Sequence, residues 1–176
     1  FDSQFLGLII GDVSGKGIPA ALYMARLVSD LRYYSHLKKN AVETLTAINK
    51  VLLERSRRGM FVTLQYMVLD CQTGHLSIVS GGHLPPLWIH GKKQSTEWIH
   101  CLNGTPLGIL PEVTFDKSSI QLQPGDLILM FTDGIIEAKN SHGDLFSMKR
   151  VEKIANNHWG SPKELVQSII DAALKF

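Results

Sequence analysis

The stretch GLIIGDVSGKGIPAALYMARL, residues 7–27, decides how this chain is read. An apolar run ends at Gly11 and Asp12, a glycine-rich loop follows, and Pro19 stands where a helix would begin. Residues 5–10 fit a buried strand. Proline suits the first turn of a helix, where its missing N–H costs nothing. Leu22, Ala25, Arg26, Ser29, Leu31 and Tyr33 carry that helix to about residue 34. The lysine of SGKG suggests a loop that cradles phosphate. Asp12 suggests a carboxylate that holds a metal.

The phosphate-loop reading fails on spacing. Such a loop needs four residues between its glycines and a Ser or Thr after its lysine. Here three residues separate Gly11 from Gly15, and Gly17 follows Lys16. Asp12 would also repel a bound polyphosphate. A second stretch has the same form as the first: LILMF, residues 127–131, delivers Thr132, Asp133 and Gly134. Two apolar strands thus each end on an aspartate beside a tight glycine turn. If the strands are neighbours, the carboxylates converge, and a divalent cation relieves their repulsion. Oxygen ligands favour magnesium or manganese over zinc. Taken singly, each aspartate is better read as a turn residue or a helix cap; the metal reading rests on the two together.

The remaining chain sets the fold class. Asn40 caps a second helix through residue 55, with Ala41, Leu45, Ile48, Val51 and Leu52 at helical spacing. Residues 61–79 read as a hairpin around CQTGH, and PLWIH–GKKQS–TEWIHCL as another strand–turn–strand. GTPLGIL is a loop. Residues 113–131 give a strand, a Pro-Gly turn and an apolar strand, and 134–147 read as loop. Two helices close the chain, at about 148–156 and 161–174, the second opened by Ser161, Pro162 and Glu164. Asp2, Ser3 and Gln4 have turn composition, which leaves room for a partner strand upstream. Clustered strands with short links predict a largely antiparallel α+β domain with helices outside.

Composition excludes several function classes. At 176 residues, 44% hydrophobic and 19% charged, the chain suits one domain with a sizeable core. A net charge of +2 and isolated basic pairs (Lys38-Lys39, Arg57-Arg58, Lys92-Lys93) give no nucleic-acid patch. No apolar run approaches the ~20 residues of a membrane span. Cys71 and Cys101 read as two thiols of a reducing compartment, with a single disulfide left open. The chain starts without methionine, directly before a strand, and shows no signal-peptide pattern. The expectation is a cytoplasmic domain excised from a longer protein, truncated at both ends.

Four motifs occur in order: GDVSGKGIPAALYMA (11–25), GGHLPPLW (81–88), GTPLGIL (104–110) and GDLILMFTDGIIEAKN (125–140). Together they resemble the bacterial serine phosphatases of the sporulation stage II protein E type, a branch of the metal-dependent type 2C protein phosphatases. The resemblance runs over nearly the whole chain. It implies an antiparallel β-sandwich flanked by helices and a site for two divalent cations, manganese or magnesium. By the same resemblance Asp12 bridges the metals, the backbone carbonyl of Val13 adds a ligand, and Asp133 holds one metal from the other side. Gly11, Gly15, Gly17 and Gly134 let the backbone pass close by. No protein side chain is the nucleophile; a metal-activated water attacks phosphorus. The absence of a Cys-x5-Arg loop and of a DxDGT motif fits that. Two further family carboxylates, in an upstream Gly-Gly-Asp and a downstream Asp-Asp-x-Thr, have no counterpart in these residues; Asp2 and Asp171 do not match them.

The implied substrate is a phosphorylated protein of the anti-sigma-factor antagonist type, in a partner-switching pathway. The implied parent chain carries an upstream sensor or receiver domain. A rival from another class is a metal-deficient regulatory module that keeps the fold. Lys16 is a loop cation without a catalytic role, and Glu137 reads as a loop carboxylate. His83 shapes a turn. His36, His75, His90, His100, His142 and His158 read as surface or helix-end residues, the tryptophans (Trp88, Trp98, Trp159) as core or edge residues, and the methionines as core gap-fillers.

Overall fold

The apolar run before Asp12 forms strand β1 (Phe5–Val13), paired antiparallel with β2 (Val62–Asp70) from Phe5↔Asp70 to Val13↔Val62. The computed structural model describes residues 4–38, 40–55, 59–101, 104–157 and 160–176. Asp2, Ser3, Lys39, Arg57, Arg58, His158 and Trp159, weighed above, lie outside the described residues. Contacts divide the chain into two compact units: residues up to His83 with 101–122, and 84–100 with 123–176.

The first unit holds a four-stranded antiparallel sheet in the order β1-β2-β3-β6, with β3 at His75–Gly81 and β6 at Lys117–Gln121. Helices α1 (Ile18–Lys38) and α2 (Ala41–Arg55) pack on one of its faces. Leu27, Leu31, Leu45, Ile48 and Leu52 meet Val13, Val62, Leu64, Tyr66 and Val79 there, all buried. Helix α1 runs four residues past the expected end, to Lys38. It exposes Ile18, Leu22 and Tyr33 on the side away from Leu27 and Leu31, and Val28 on its flank. The Asn40 cap is present: its Oδ1 accepts from the N–H groups of Val42 and Glu43.

The second unit holds a three-stranded antiparallel sheet, β5-β4-β7, with β4 at Leu87–His90, β5 at Ser95–Trp98 and β7 at Leu127–Leu129. Helices α3 (Asp133–Ile136), α4 (Ser147–Asn156) and α5 (Pro162–Leu174) complete it. Its core gathers Leu87, Ile89, Phe146, Val151, Ala155, Leu165 and Ile169. Ser161 and Glu164 form the expected reciprocal capping box. The α+β class with antiparallel sheets is as expected.

Two local expectations change. The apolar strand of 127–131 stops at Leu129, because only Leu127 to Leu129 pair with β4. The strands either side of the Pro124-Gly125 turn do not pair with each other: β6 pairs with β3 and β7 with β4, in different sheets. The loop expected after Asp133 begins as the one-turn helix α3. Cys71 and Cys101 are both free thiols, so the disulfide left open is not formed. Among the described residues no helix is long and apolar enough to cross a membrane.

Asp126 fixes the start of the second sheet. Its Oδ1 accepts from the Gly91 N–H at 3.0 Å, and its Oδ2 accepts from the Trp88 indole and the Gln123 N–H, each at 3.0 Å. Burial alone would raise its pKa, but those hydrogen bonds, with His90 nearby, hold the carboxyl below its ordinary value. A pKa lowered by folding adds stability that is complete above the unfolded value, near 4, and is lost as pH falls through the folded value. Acid titration of unfolding should therefore show a loss below about pH 4 that Asp126→Asn reduces. At Ser147 the backbone takes φ +69, a left-handed conformation costly for a side chain other than glycine. Ser147→Gly should raise stability by about 1 kcal/mol in thermal melts, and Ser147→Ala should not.

Candidate metal centre

The last residues of β1 place two oxygens at its end. Val62 donates its N–H to Leu107 O at 3.0 Å and accepts from Leu107 N–H at 2.8 Å. Its backbone therefore faces Leu107, and Val13↔Val62 is the non-hydrogen-bonded kind of antiparallel pair. The N–H and C=O of Val13 are turned away from β2, toward the outer edge of the sheet. The N–H donates to Asp12 Oδ1 at 3.0 Å. The C=O and Asp12 Oδ2 have no hydrogen-bond partner among the described residues. Asp12 is exposed and Val13 is buried.

The glycines around them differ in what they require. A methyl on Gly11 would stand 2.8 Å from Thr63 O, so the close approach of β1 to β2 excludes a side chain there. Gly15 and Gly17 sit at φ +113 and +78, where the loop doubles back into α1. Gly134 lies inside α3, where a methyl would meet only Thr132 Oγ1 at 3.9 Å, an ordinary contact. Asp133 is the first residue of α3, exposed, with no side-chain hydrogen bond or ion pair among the described residues. Its strand β7 edges the three-stranded sheet and β1 edges the four-stranded one, so the two are not paired neighbours.

The donor chemistry suits a hard divalent cation. Carboxylate and carbonyl oxygens are offered, two of them unspent, with no sulfur or imidazole among them. Among the described residues no three His, Cys, Asp or Glu side chains form a group able to hold a metal ion. Cys101 is an unsuitable nucleophile: burial pushes its thiol pKa up, against a hydrogen bond from Ser118, so it stays protonated near neutral pH.

Two of the sequence motifs interlock beside this strand end. A methyl on Gly82, at φ +72, would lie 2.7 Å from Pro106, and one on Gly81 would overlap Leu107. GGH and GTPLG therefore pack backbone to side chain, and the turn sends His83 Nδ1 to within 2.9 Å of Thr63 Oγ1. Asn49 of α2, 2% exposed, clamps the same loop: its Nδ2 donates to Leu110 O at 2.9 Å and its Oδ1 accepts from Gly108 N–H at 2.8 Å. Asn49, Thr63 and Asp126 were not singled out in the sequence. Asn49 carried a usable signal, a polar residue on the apolar face between Leu45 and Leu52. Thr63 carried none, because its place depends on strand register.

Solved structures of known proteins place this architecture in a class. The PP2C phosphatase domain of SpoIIE from Bacillus subtilis, with a fragment of its regulatory domain, superposes with a TM-score of 0.81 at 20% identity, over 98% of this chain and 50% of that one. The structure of the RsbU and RsbW domains of Rv1364c from Mycobacterium tuberculosis gives 0.80 at 26% identity, over 98% of this chain and 48% of that one. The fold is that of the type 2C phosphatases. More narrowly, the chain belongs to the Stage II sporulation protein E (SpoIIE) family, whose model matches residues 2–176. Among its relatives, the phosphoserine phosphatase RsbU of Bacillus subtilis (strain 168) is 28% identical over 175 residues, 99% of this chain and 52% of that protein. The chain thus spans about half the length of that relative.

The Asn49 clamp has a measurable weight. Asn49→Ala leaves two buried backbone groups of the 108–110 loop unpaired and should cost about 2 kcal/mol in denaturant unfolding. Asn49→Asp, which keeps only the acceptor, should be less costly than the alanine variant only if Gly108 is the more important partner.

Proposed function

We propose that this chain is the catalytic domain of a metal-dependent phosphoprotein phosphatase that hydrolyses phosphoserine or phosphothreonine on a regulatory protein. The observation that carries the reading is the strand end of β1, where Asp12 Oδ2 and the Val13 carbonyl are both unspent and turned outward in a SpoIIE-family chain. By the motif resemblance, Asp12, Val13 and Asp133 would hold divalent cations, manganese or magnesium. Water and carboxylates of a longer parent chain would fill the remaining positions. Bound there, such a cation supplies Lewis acidity toward phosphoryl oxygens and lowers the pKa of water.

The chain's own residues set the geometry. The Val13 N–H holds Asp12 Oδ1 and so fixes the direction of the other carboxylate oxygen. Gly15 and Gly17 keep the loop free of side chains beside it. No protein side chain has to act as nucleophile, in keeping with the protonated Cys101. RsbU and RsbP of Bacillus subtilis carry the name phosphoserine phosphatase, which supports phosphoserine as the reacting group. The resemblance drawn from the motifs supports an anti-sigma-factor antagonist-type substrate, an upstream sensor or receiver domain, partner switching and a cytoplasmic setting.

A second reading, a metal-deficient regulatory module, is favoured by one observation: the described residues contain no three-residue metal-binding group. The two separate cleanly in one assay. Manganese-dependent hydrolysis of p-nitrophenyl phosphate by the full natural chain should fall roughly a hundredfold or more in Asp12→Asn and in Asp133→Asn. Activity untouched by both substitutions would discard the metal assignment. No activity, together with no manganese binding by calorimetry, would favour the regulatory module.

A further inference from the structure

We infer that Thr63, held in place by His83, is a positioning residue for the Asp12 carboxylate, an inference that rests on the metal site proposed above. Strand register supplies the first step. Ser14 N–H donates to Phe61 O, and Val13↔Val62 is a non-hydrogen-bonded pair, so Asp12↔Thr63 is again the hydrogen-bonded kind. Residues directly opposite in an antiparallel pair send their side chains to the same face. Asp12 and Thr63 therefore stand side by side on the face away from α1 and α2.

That face changes character along the strands. Its farthest row is apolar, Leu6 with Leu69, Leu76 and Ile120, and the next, Leu8 with Met67 and Ile78, takes in one polar residue, Ser118. The row before the end sets Gln65 between Ile10 and Ser80, with Gln65 and Ser80 both buried. Both polar atoms of the Gln65 carboxamide are buried without a hydrogen-bond partner among the described residues, a place where an internal water is expected. The end row is Asp12 and Thr63, with His83 bonded to the latter. Polarity thus rises along this face toward Asp12.

The hydrogen bond to His83 gives the hydroxyl a direction. A threonine hydroxyl has one proton to donate and lone pairs to accept with. When His83 Nδ1 carries a proton and donates it to Thr63 Oγ1, the hydroxyl proton is left for the Asp12 side. Oδ1 of Asp12 is already engaged by the Val13 N–H, and Thr63 makes no direct hydrogen bond to Asp12, so Oδ2 is the oxygen to be steered, through a bridging water. His83 is itself fixed by the packing of Gly82 on Pro106 and by the Val62–Leu107 bridge next to Thr63.

The test uses the full natural chain and manganese as the probe, with binding read by calorimetry and the manganese requirement read from p-nitrophenyl phosphate hydrolysis. Thr63→Val keeps the shape and removes the hydroxyl; it should weaken manganese binding about tenfold and raise the half-saturating manganese concentration equally. Thr63→Ser should recover to within about twofold of the natural chain. His83→Leu should reproduce the valine defect, and His83→Asn, which keeps a polar atom near the Nδ1 position, should largely relieve it. Should Thr63→Val not fold by thermal melt, the serine, leucine and asparagine variants decide the matter. Wild-type manganese binding in Thr63→Val or in His83→Leu overturns the inference while leaving the metal site standing, provided Asp12→Asn loses binding. If Asp12→Asn also binds manganese normally, the metal site itself falls, and the inference with it.

Discussion

Pairing of β1 with β2 over nine consecutive residues is the constraint on which the site depends. The side-chain period of a strand is two, so a slip of one residue would turn Asp12 toward the helices and Val13 toward the opposite face. Val13 and Val62 belong to the buried layer under α1 and α2, and burying them forbids that slip. The same register places Gly11 against Thr63 O, where no side chain fits. Hydrophobic burial on one face thereby fixes which carboxylate and which carbonyl stand at the strand end.

Much of this was legible in the sequence where local chemistry decides. The apolar run before Asp12, the Asn40 cap, the hairpin of β2 and β3, and the Ser161–Glu164 box all follow from spacing and capping rules acting within a few residues. Asp12 stood out as a candidate because a carboxylate breaks an apolar strand just before a glycine loop. What was not legible depends on distant pairing. The Pro124-Gly125 turn looks like a hairpin turn, yet its flanking strands find partners in different sheets. The shortness of β7 follows from the four-residue length of β4, which offers a partner only as far as Leu129. Thr63 stands in a run of β-formers and gains meaning only through the residue opposite.

The two middle motifs acquire a physical reason of their own. GGH and GTPLG are separated by twenty residues, yet each supplies what the other lacks. The bare glycines make room for Pro106 and Leu107, and Leu107 in turn caps the end of β2 through two backbone hydrogen bonds. Asp126 plays a comparable part in the second unit, where one carboxylate joins the ends of two strands and a tryptophan indole. In both places a single compact contact substitutes for a longer stretch of regular pairing.

Asn49 makes α2 and the 108–110 loop a single mechanical part. Its two hydrogen bonds run in opposite senses, one given and one received, so the helix can neither slide nor rotate without breaking one of them or pulling the loop along. Leu107, just before that loop, is bonded to Val62, the immediate neighbour of Thr63. A displacement imposed on the outer surface of α2 therefore has a short, stiff route, of one side chain and one backbone bridge, to the strand end that carries Asp12.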